Sequence, residues 1–445
     1  MARHTFISDP ANSLRWLRAF RGLIAEHADE LVRLMGEEIH KPEFEALASD
    51  VLPLISACTW HLKRSKKLLR DRRTPGKPLW LPGVRHRTCR APLGRVAIIA
   101  TWNYPVQLLG VQLIQAVMAD NRVIVKPSER SPKTQLLLLE LAREAGLSAE
   151  VLVWTDATRE AGERLVEHEP FDHLLFTGST AVGKTIAAAL APRLITSTLE
   201  LSGNDTAVVL PSANPKLAAR CIWYALTLNH GQTCMAPRRV LVAPEVREPF
   251  MAKLYKLASN TDGRRLIDAE AAERCRQVAR EAIAAGGRLA NGNPGSDPLQ
   301  PIVIDDCPTD TDLYKGKHFG PVLPVAVLEE DSAIPASQLT MSVFGKPAEA
   351  LEFARRFRAG TFTINDCIIP TGHPGAPLSA SGSAGWGVSR GEAGLLAMTR
   401  PVSVSTTRAW PRLPLDPPGV PVSKITPWLR RLYAAKKKAT EDGTE

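Results

Sequence analysis

The residues best placed to do chemistry lie in three short segments. Asn229-His230-Gly231-Gln232-Thr233-Cys234 ends on a cysteine, Leu199-Glu200-Leu201 sets a carboxyl group in an apolar frame, and Thr101-Trp102-Asn103-Tyr104-Pro105 holds a side-chain amide beside a proline. A thiolate is a soft, strong nucleophile suited to an electrophilic carbon, and it needs a pKa lowered by nearby donors or a helix N-terminus. A glutamate between two leucines has its pKa raised by those neighbours, which suits a general base near neutral pH. Asn103 follows the apolar run Val96-Ala97-Ile98-Ile99, so a strand ending in a turn can present its amide at the carboxyl edge of a sheet. Each feature alone has a bland reading. Cysteine is often a small core hydrophobe, and a carboxylate in an apolar frame is usually half of a structural pair. Together they are far more specific.

In order and arrangement these segments, with Pro92-Leu93-Gly94 before them, resemble the aldehyde dehydrogenase superfamily, most of all its class 3 and fatty-aldehyde branch. The resemblance runs from about residue 90 to 405 and is weakest between about 258 and 315. It implies an α/β fold, with a Rossmann-type dinucleotide-binding domain, an α/β catalytic domain and a small oligomerisation element. It also implies oxidation of an aldehyde to a carboxylic acid, through a thiohemiacetal and then a thioester on Cys234. Asn103 and the Cys234 backbone N–H would hold the oxyanion, and Glu200 would activate the water that cleaves the thioester. Lys126 and Glu129, in Val125-Lys126-Pro127-Ser128-Glu129, would hold the adenosine ribose; the carboxylate disfavours a 2′-phosphate, so NAD is expected, with NADP possible. Gly178, Ser179 and Gly183 would open a helix whose amides take the pyrophosphate, and Trp102 and Phe319 would flank phosphates and nicotinamide. No metal is implied.

The sequence also departs from the family. Gly316-Lys317-His318 stands where Glu-Glu-Ile is usual before Phe319-Gly320-Pro321, which removes a ribose ligand and sets a cation near a positive ring. Ser202 replaces a glycine after Glu200, where it would crowd a turn, and Leu378-Ser379-Ala380 replaces Phe-Gly-Gly in a loop expected on the aldehyde side. These changes leave two alternatives open: an acyl-thioester reductase or esterase, and a non-catalytic structural member. A rival of another class is a nucleotide hydrolase, because Gly178, Gly183, Lys184 and Thr185 satisfy the pattern of a phosphate-binding P-loop. Against it, no later apolar strand is expected to end in a magnesium-holding aspartate, and Ser179-Thr180-Ala181-Val182 is not glycine-rich.

The elements that must position these groups follow from hydrophobic spacing. From Asn12 to about Arg72 apolar residues recur at three- and four-residue steps, a run of helices. From Arg95 short apolar runs alternate with amphipathic stretches, the texture of a parallel sheet with helices on both faces. Strands are expected at Val96–Ile99, Val123–Val125, Val151–Val153, His173–Phe176, Thr206–Leu210 and Arg239–Val242. Gly292–Pro301 and Gly372–Gly387 read as loops, the second long enough to border an active site. The expected organisation is a dinucleotide-binding domain over 1–70 and 91–201, a catalytic domain over 202–370, an oligomerisation element from 71–90 and 395–425, and a basic tail over 426–445. Val402-Ser403-Val404-Ser405 alternates like an edge strand, and the resemblance makes it the contact of a homodimer.

At 445 residues and 44% hydrophobic composition the chain can bury more than one core, which excludes a single small binding module. The net charge of +10 comes largely from Lys63 to Arg73 and from Arg430 to Lys438. Such runs usually mark a solvated face and a tail, so nucleic acid is not expected as a partner. The Trp428-Leu429-Leu432-Tyr433 set beside the second run keeps contact with anionic lipid as the alternative. Seven cysteines without a Cys-x-x-Cys pair argue against a disulfide scaffold, and no apolar signal core is seen, so a cytoplasmic enzyme is expected. The substrate class implied is medium-chain aliphatic or aromatic aldehydes.

Overall fold

Leu17, Phe20, Ile24, Leu31, Met35 and Ile39 recur at helical spacing and all are buried, which is why the chain begins with two helices, Pro10–Glu26 and Ala28–Ile39. The computed structural model describes residues 6–7, 10–78, 81, 83–330, 332, 334–408, 422–424 and 426–431. The proline-rich stretch 411–421 and Leu432, Tyr433 and Lys436 to Lys438 of the basic tail lie outside them. His40 ends the second helix in left-handed backbone at φ 56. Glu43–Ala46, Leu47–Val51 and Leu52–Leu68 then run on without a break, the middle piece being a π-helical turn. Such turns cluster at functional sites, and this one carries Asp50.

Continuous apolar runs, rather than alternating ones, make strands buried on both faces. β1 (Arg95–Ile99), β2 (Arg122–Lys126), β3 (Leu152–Trp154), β4 (His173–Gly178) and β5 (Thr196–Leu201) form a parallel sheet in the order β5-β4-β1-β2-β3. The first strand lies in the middle, flanked by β2 on one side and β4 on the other. The chain therefore changes direction between β1 and β4, and ligands of such sheets bind outside the carboxyl ends at that point. Trp102 and Asn103 follow β1, and Ser179 follows β4.

The second sheet begins at Thr206. β6 (Thr206–Val209), β7 (Arg239–Val242), β8 (Arg288–Asn291), β9 (Ile302–Asp305), β10 (Val322–Val327), β11 (Ser337–Phe344) and β12 (Arg358–Ile364) take the order β8-β9-β10-β7-β6-β11-β12, with only β8 antiparallel. Two apolar clusters cover its faces, one around Phe250 and Trp223, the other around Val278 and Leu313. Gly372–Gly387, expected as a loop, contains more order than its composition suggested. Leu378–Ser379 pairs with Val388–Ser389, and Gly385–Trp386 adds an antiparallel edge to β5 with Gly385 opposite Glu200.

The chain divides into two compact units, Met1–Arg70 with Arg90–Arg400, and Asp71–Cys89 with Pro401–Glu445. Both large sheets belong to the first. The second carries a three-stranded sheet in which Val84–Pro92 lies between Arg72–Arg73 and Thr399–Thr407. Among the described residues no helix is long and apolar enough to cross a membrane.

Candidate active site

Cys234 is presented by an unusual turn. Asn229, His230 and Gly231 have φ values of 48°, 54° and 74°, three left-handed residues in succession, two of them with a Cβ. Such backbone costs about 1–3 kcal/mol for each non-glycine residue and persists only where its surroundings impose it. Here they do. The Asn229 N–H donates to Glu45 Oε2 at 2.7 Å, its Nδ2 donates to the Asn103 carbonyl at 3.0 Å, and the His230 ring pairs with the Leu299 carbonyl at 3.0 Å. Arg238, fully buried, donates from Nη1 to the Gly231 carbonyl at 3.1 Å and from Nη2 to the Thr233 carbonyl at 2.7 Å. Gly231 has no substitute, because a Cβ would meet the Gly320 carbonyl carbon at 2.5 Å.

Beyond this turn the chain makes a further tight turn and enters β7, so Cys234 does not itself open a helix. The expectation of one is corrected, and with it the expectation of a lowered thiol pKa. Burial, then the charges of Glu200 and Asp205, push the Cys234 thiol up to about 12 against the pull of Arg390 and Arg238. Cys234 opens on a cavity of about 200 Å³ walled by Tyr104, Leu108, Tyr224, Met235 and Ile368 among others. Leu378 and Ala380 pack with Met235 in the small cluster that Cys234 adjoins.

Glu200 stands one residue from the end of β5 and is buried. Burial raises its pKa, opposed by hydrogen bonds from Ser389 and Thr177 and by the charge of Arg390; the direction matches the reading from its leucine neighbours. Ser389 Oγ donates to Oε1, Thr177 Oγ1 donates to Oε2 at 3.3 Å, and Gln112 Nε2 donates to Thr177 at 3.3 Å. Ser202 after it is exposed with ordinary backbone, its N–H bonded to the Gly178 carbonyl at 3.0 Å, so the expected crowding is absent.

Asn103 is buried, and its Nδ2 donates to the Gln232 carbonyl at 3.0 Å, two residues from Cys234. One amide hydrogen remains for a further acceptor. Among the described residues the Cys234 N–H makes no hydrogen bond within the chain. The loop carrying Asn103 is held from beneath by a pair the sequence did not point to. Lys41 Nζ meets Asp50 Oδ2 at 2.5 Å, donates to the Asn103 carbonyl at 2.8 Å and lies 3.7 Å from the centre of the Tyr104 ring. Asp50 Oδ1 accepts the N–H groups of Val106 and Gln107, and the Tyr104 hydroxyl meets Thr233 Oγ1 at 2.6 Å. Lys41 precedes the π-helical turn and Asp50 lies within it. Two charges placed among residues otherwise spaced for burial were the available signal.

On the other side of β1 the residues fit a dinucleotide. Lys126 ends β2 and pairs with Glu129 at 2.5 Å. Ser179 Oγ caps the helix Thr180–Leu190 by accepting from the Val182 N–H at 3.3 Å, and Gly183 lets that helix lie against β5, since a Cβ would meet Leu201 at 2.4 Å. Trp102 and Phe319 come together, ring centres 6.0 Å apart and nearly perpendicular. The P-loop reading fails on the same geometry. Only Ser179 separates strand from helix, Lys184 points out exposed from the helix, and Thr185 Oγ1 is bonded to the Ala181 carbonyl.

Lys317 is not a free cation. It pairs with Asp312 at 2.9 Å, which Arg274 also meets at 2.9 Å, and these two cations hold the Asp312 carboxyl below its usual range. An exposed pair of this kind is worth about 1 kcal/mol or less, so Lys317→Met should change the KM for NAD⁺ by no more than about fivefold. Initial rates at varied NAD⁺ measure this; a larger drop in KM would restore a repelling role for the lysine.

The family model described as "Aldehyde dehydrogenase family" matches residues 8–404. The chain belongs to the aldehyde dehydrogenase family. It is 30% identical over 420 residues to a 4,4'-diapolycopene aldehyde oxidase of Methylomonas sp., covering 90% of this chain and 78% of the relative. It is 30% identical over 414 residues to a probable coniferyl aldehyde dehydrogenase of Pseudomonas aeruginosa, covering 88% and 86%. The NAD⁺ complex of an aldehyde dehydrogenase from Bacillus cereus superposes with a TM-score of 0.83 at 25% identity over 90% of this chain and 84% of that one. This aldehyde dehydrogenase is therefore an oxidoreductase that oxidises an aldehyde with NAD or NADP. Ser389 and Arg390, beside Glu200 and Cys234, went unread in the sequence, although the glycine-rich stretch just before them marked a loop at the site.

Proposed function

We propose that Cys234 is the nucleophile, Asn103 and the Cys234 N–H the oxyanion donors, and Glu200 the base that releases the product. The observation that carries this is the turn itself: Asn103 is bonded to Gln232, two residues from Cys234, and Cys234 opens on the cavity, while the charge of Glu200 acts to raise its thiol pKa. The thiol loses its proton to solvent through the cavity, and Sγ bonds to the aldehyde carbon while the carbonyl π pair moves onto oxygen. The free amide hydrogen of Asn103 and the Cys234 N–H receive that oxyanion. Lys126, Glu129 and the residues opening the Thr180 helix would hold a nicotinamide dinucleotide, which would supply the acceptor for the hydride that leaves the same carbon. The carbon–oxygen double bond re-forms as a thioester. Glu200 then takes a proton from water, the hydroxide attacks, the carbon–sulfur bond breaks, and a carboxylate leaves. Glu129 beside the ribose position supports NAD over NADP.

The cavity wall points to the substrate class. Apart from Arg390 its lining is uncharged and mostly apolar, and Tyr224 and Ile369, which line it, are 46% and 63% exposed, as an apolar entrance requires. This supports medium-chain aliphatic or aromatic aldehydes; the two relatives are named for 4,4'-diapolycopene aldehyde and coniferyl aldehyde. Each methylene buried is worth about 0.8 kcal/mol, so kcat/KM should rise about fourfold per carbon until the cavity is filled. Absorbance of NADH formation over a series of linear aldehydes tests this; a flat series, or a preference for the shortest, would reject the class.

The edge of the three-stranded sheet supports a homodimer. Among the described residues Thr399–Thr407 has its outer side unpaired and alternates in exposure, a template for a second copy. Sedimentation at micromolar concentration is expected to show a dimer; a monomer alone would remove the proposal.

A further inference from the structure

Among the described residues Arg390 is the one charged side chain lining the cavity on which Cys234 opens. It is 7% exposed, and its backbone sits at φ 62°, ψ 162°, a region that residues with a Cβ rarely occupy. The conformation is imposed: the Arg390 N–H donates to Gln115 Oε1 at 3.3 Å, and its carbonyl accepts from the Gly394 N–H at 2.8 Å. What the strain achieves is a guanidinium in the cavity wall with few partners. Nη1 donates to the Thr371 carbonyl at 3.2 Å, while Nε is buried without a partner. A structural arginine of this fold looks different. Arg238 spends its guanidinium on two backbone carbonyls and lies 4.9 Å from the centre of the Phe319 ring.

We propose that Arg390 is a positioning residue that holds the counter-charge for the Cys234 thiolate. The groups that face Cys234 are Glu200, Asp205, Tyr104, Arg238 and Arg390. Three of these acquire negative charge on ionising, so they oppose a thiolate. Arg238 has its guanidinium committed to the Gly231 and Thr233 carbonyls, and Asp205 is the carboxylate acting on it. Arg390 is left to offset the charge carried between Glu200 and Cys234, and its neighbour Ser389 ties the same strand to Glu200. Without it a thiolate in this cavity stands beside a carboxylate with no compensating cation.

This inference rests on Cys234 being the nucleophile, and the test separates the two. Alkylation of Cys234 by iodoacetamide, a neutral probe, is followed by mass spectrometry from pH 6 to 9 in the wild type, Arg390→Lys and Arg390→Met, with unfolding midpoints recorded for each. Below its pKa the rate follows the thiolate fraction, so losing the cation should move the whole profile to higher pH. Arg390→Met should react about tenfold more slowly at each pH, and Arg390→Lys, which keeps the charge, within about threefold of wild type. Equal slowing in both variants, or none in either, would overturn the role. So would an unmoved profile accompanied by a raised KM confined to aldehydes bearing a second carboxylate, which would assign the guanidinium to substrate. A Cys234 that does not alkylate in the wild type, while aldehyde turnover persists in Cys234→Ala, would instead remove the nucleophile assignment itself.

Discussion

Cys234→Ala is expected to lower kcat for aldehyde oxidation by at least about 10⁴-fold, since removing a nucleophile removes the whole covalent route. NADH absorbance under saturating aldehyde and NAD⁺ measures it. The fold should survive, because the side chain borders a cavity and fills no core. Of the six other cysteines, Cys58, Cys275 and Cys367 are buried within the apolar clusters. A thiol pushed up to about 12 is almost wholly protonated at neutral pH, so the nucleophile is generated as needed and does not stand ready. The wild-type rate of alkylation should therefore still be climbing at pH 9. Turnover retained in Cys234→Ala would end the thioester mechanism.

The segments that carry Asn103, Glu200 and Cys234 were legible because each is local: a strand end, an apolar frame, a short motif. Strand and helix positions from Arg95 to Val242 were legible for the same reason, since parallel strands buried on both faces are written as continuous apolar runs. What surrounds the thiol was not legible. Its pKa depends on Glu200, Asp205, Arg238 and Arg390, which are distant from it or unremarkable in sequence and meet only through the packing of two sheets. The same holds for Lys41 and Asp50, which lie far before the Asn103 loop that they support. Lys317 shows the converse. A charge read by its position beside Phe319 also meets a carboxylate, Asp312, five residues earlier and brought back by a turn. Local pattern specifies which groups exist, and tertiary packing decides which of them remain charged and toward what.

Glu200→Gln should separate the two halves of the reaction. As the base for thioester hydrolysis, Glu200 is worth about 10²- to 10⁴-fold in that step. The variant should release a burst of NADH close to one per active site, then turn over at a rate lowered by that factor, with an acyl group detectable on Cys234 by mass spectrometry. Acylation itself should not suffer. The charge of Glu200 is the second cause, after burial, of the high thiol pKa, so a neutral glutamine lets the thiolate form more easily. Hydroxyls donate or accept as required, so Ser389 and Thr177 can still bond the amide and the strand should keep its place. The pH profile carries the same sign. The carboxylate is the active form, and burial raises its pKa, so wild-type kcat should fall on the acid side above the value of about 4.3 that a solvated glutamate shows. In the glutamine variant that acid limb should vanish from the slow steady state. No burst and no acyl adduct would place Glu200 in the first step, as the acceptor of the Cys234 proton, and would withdraw its role in hydrolysis.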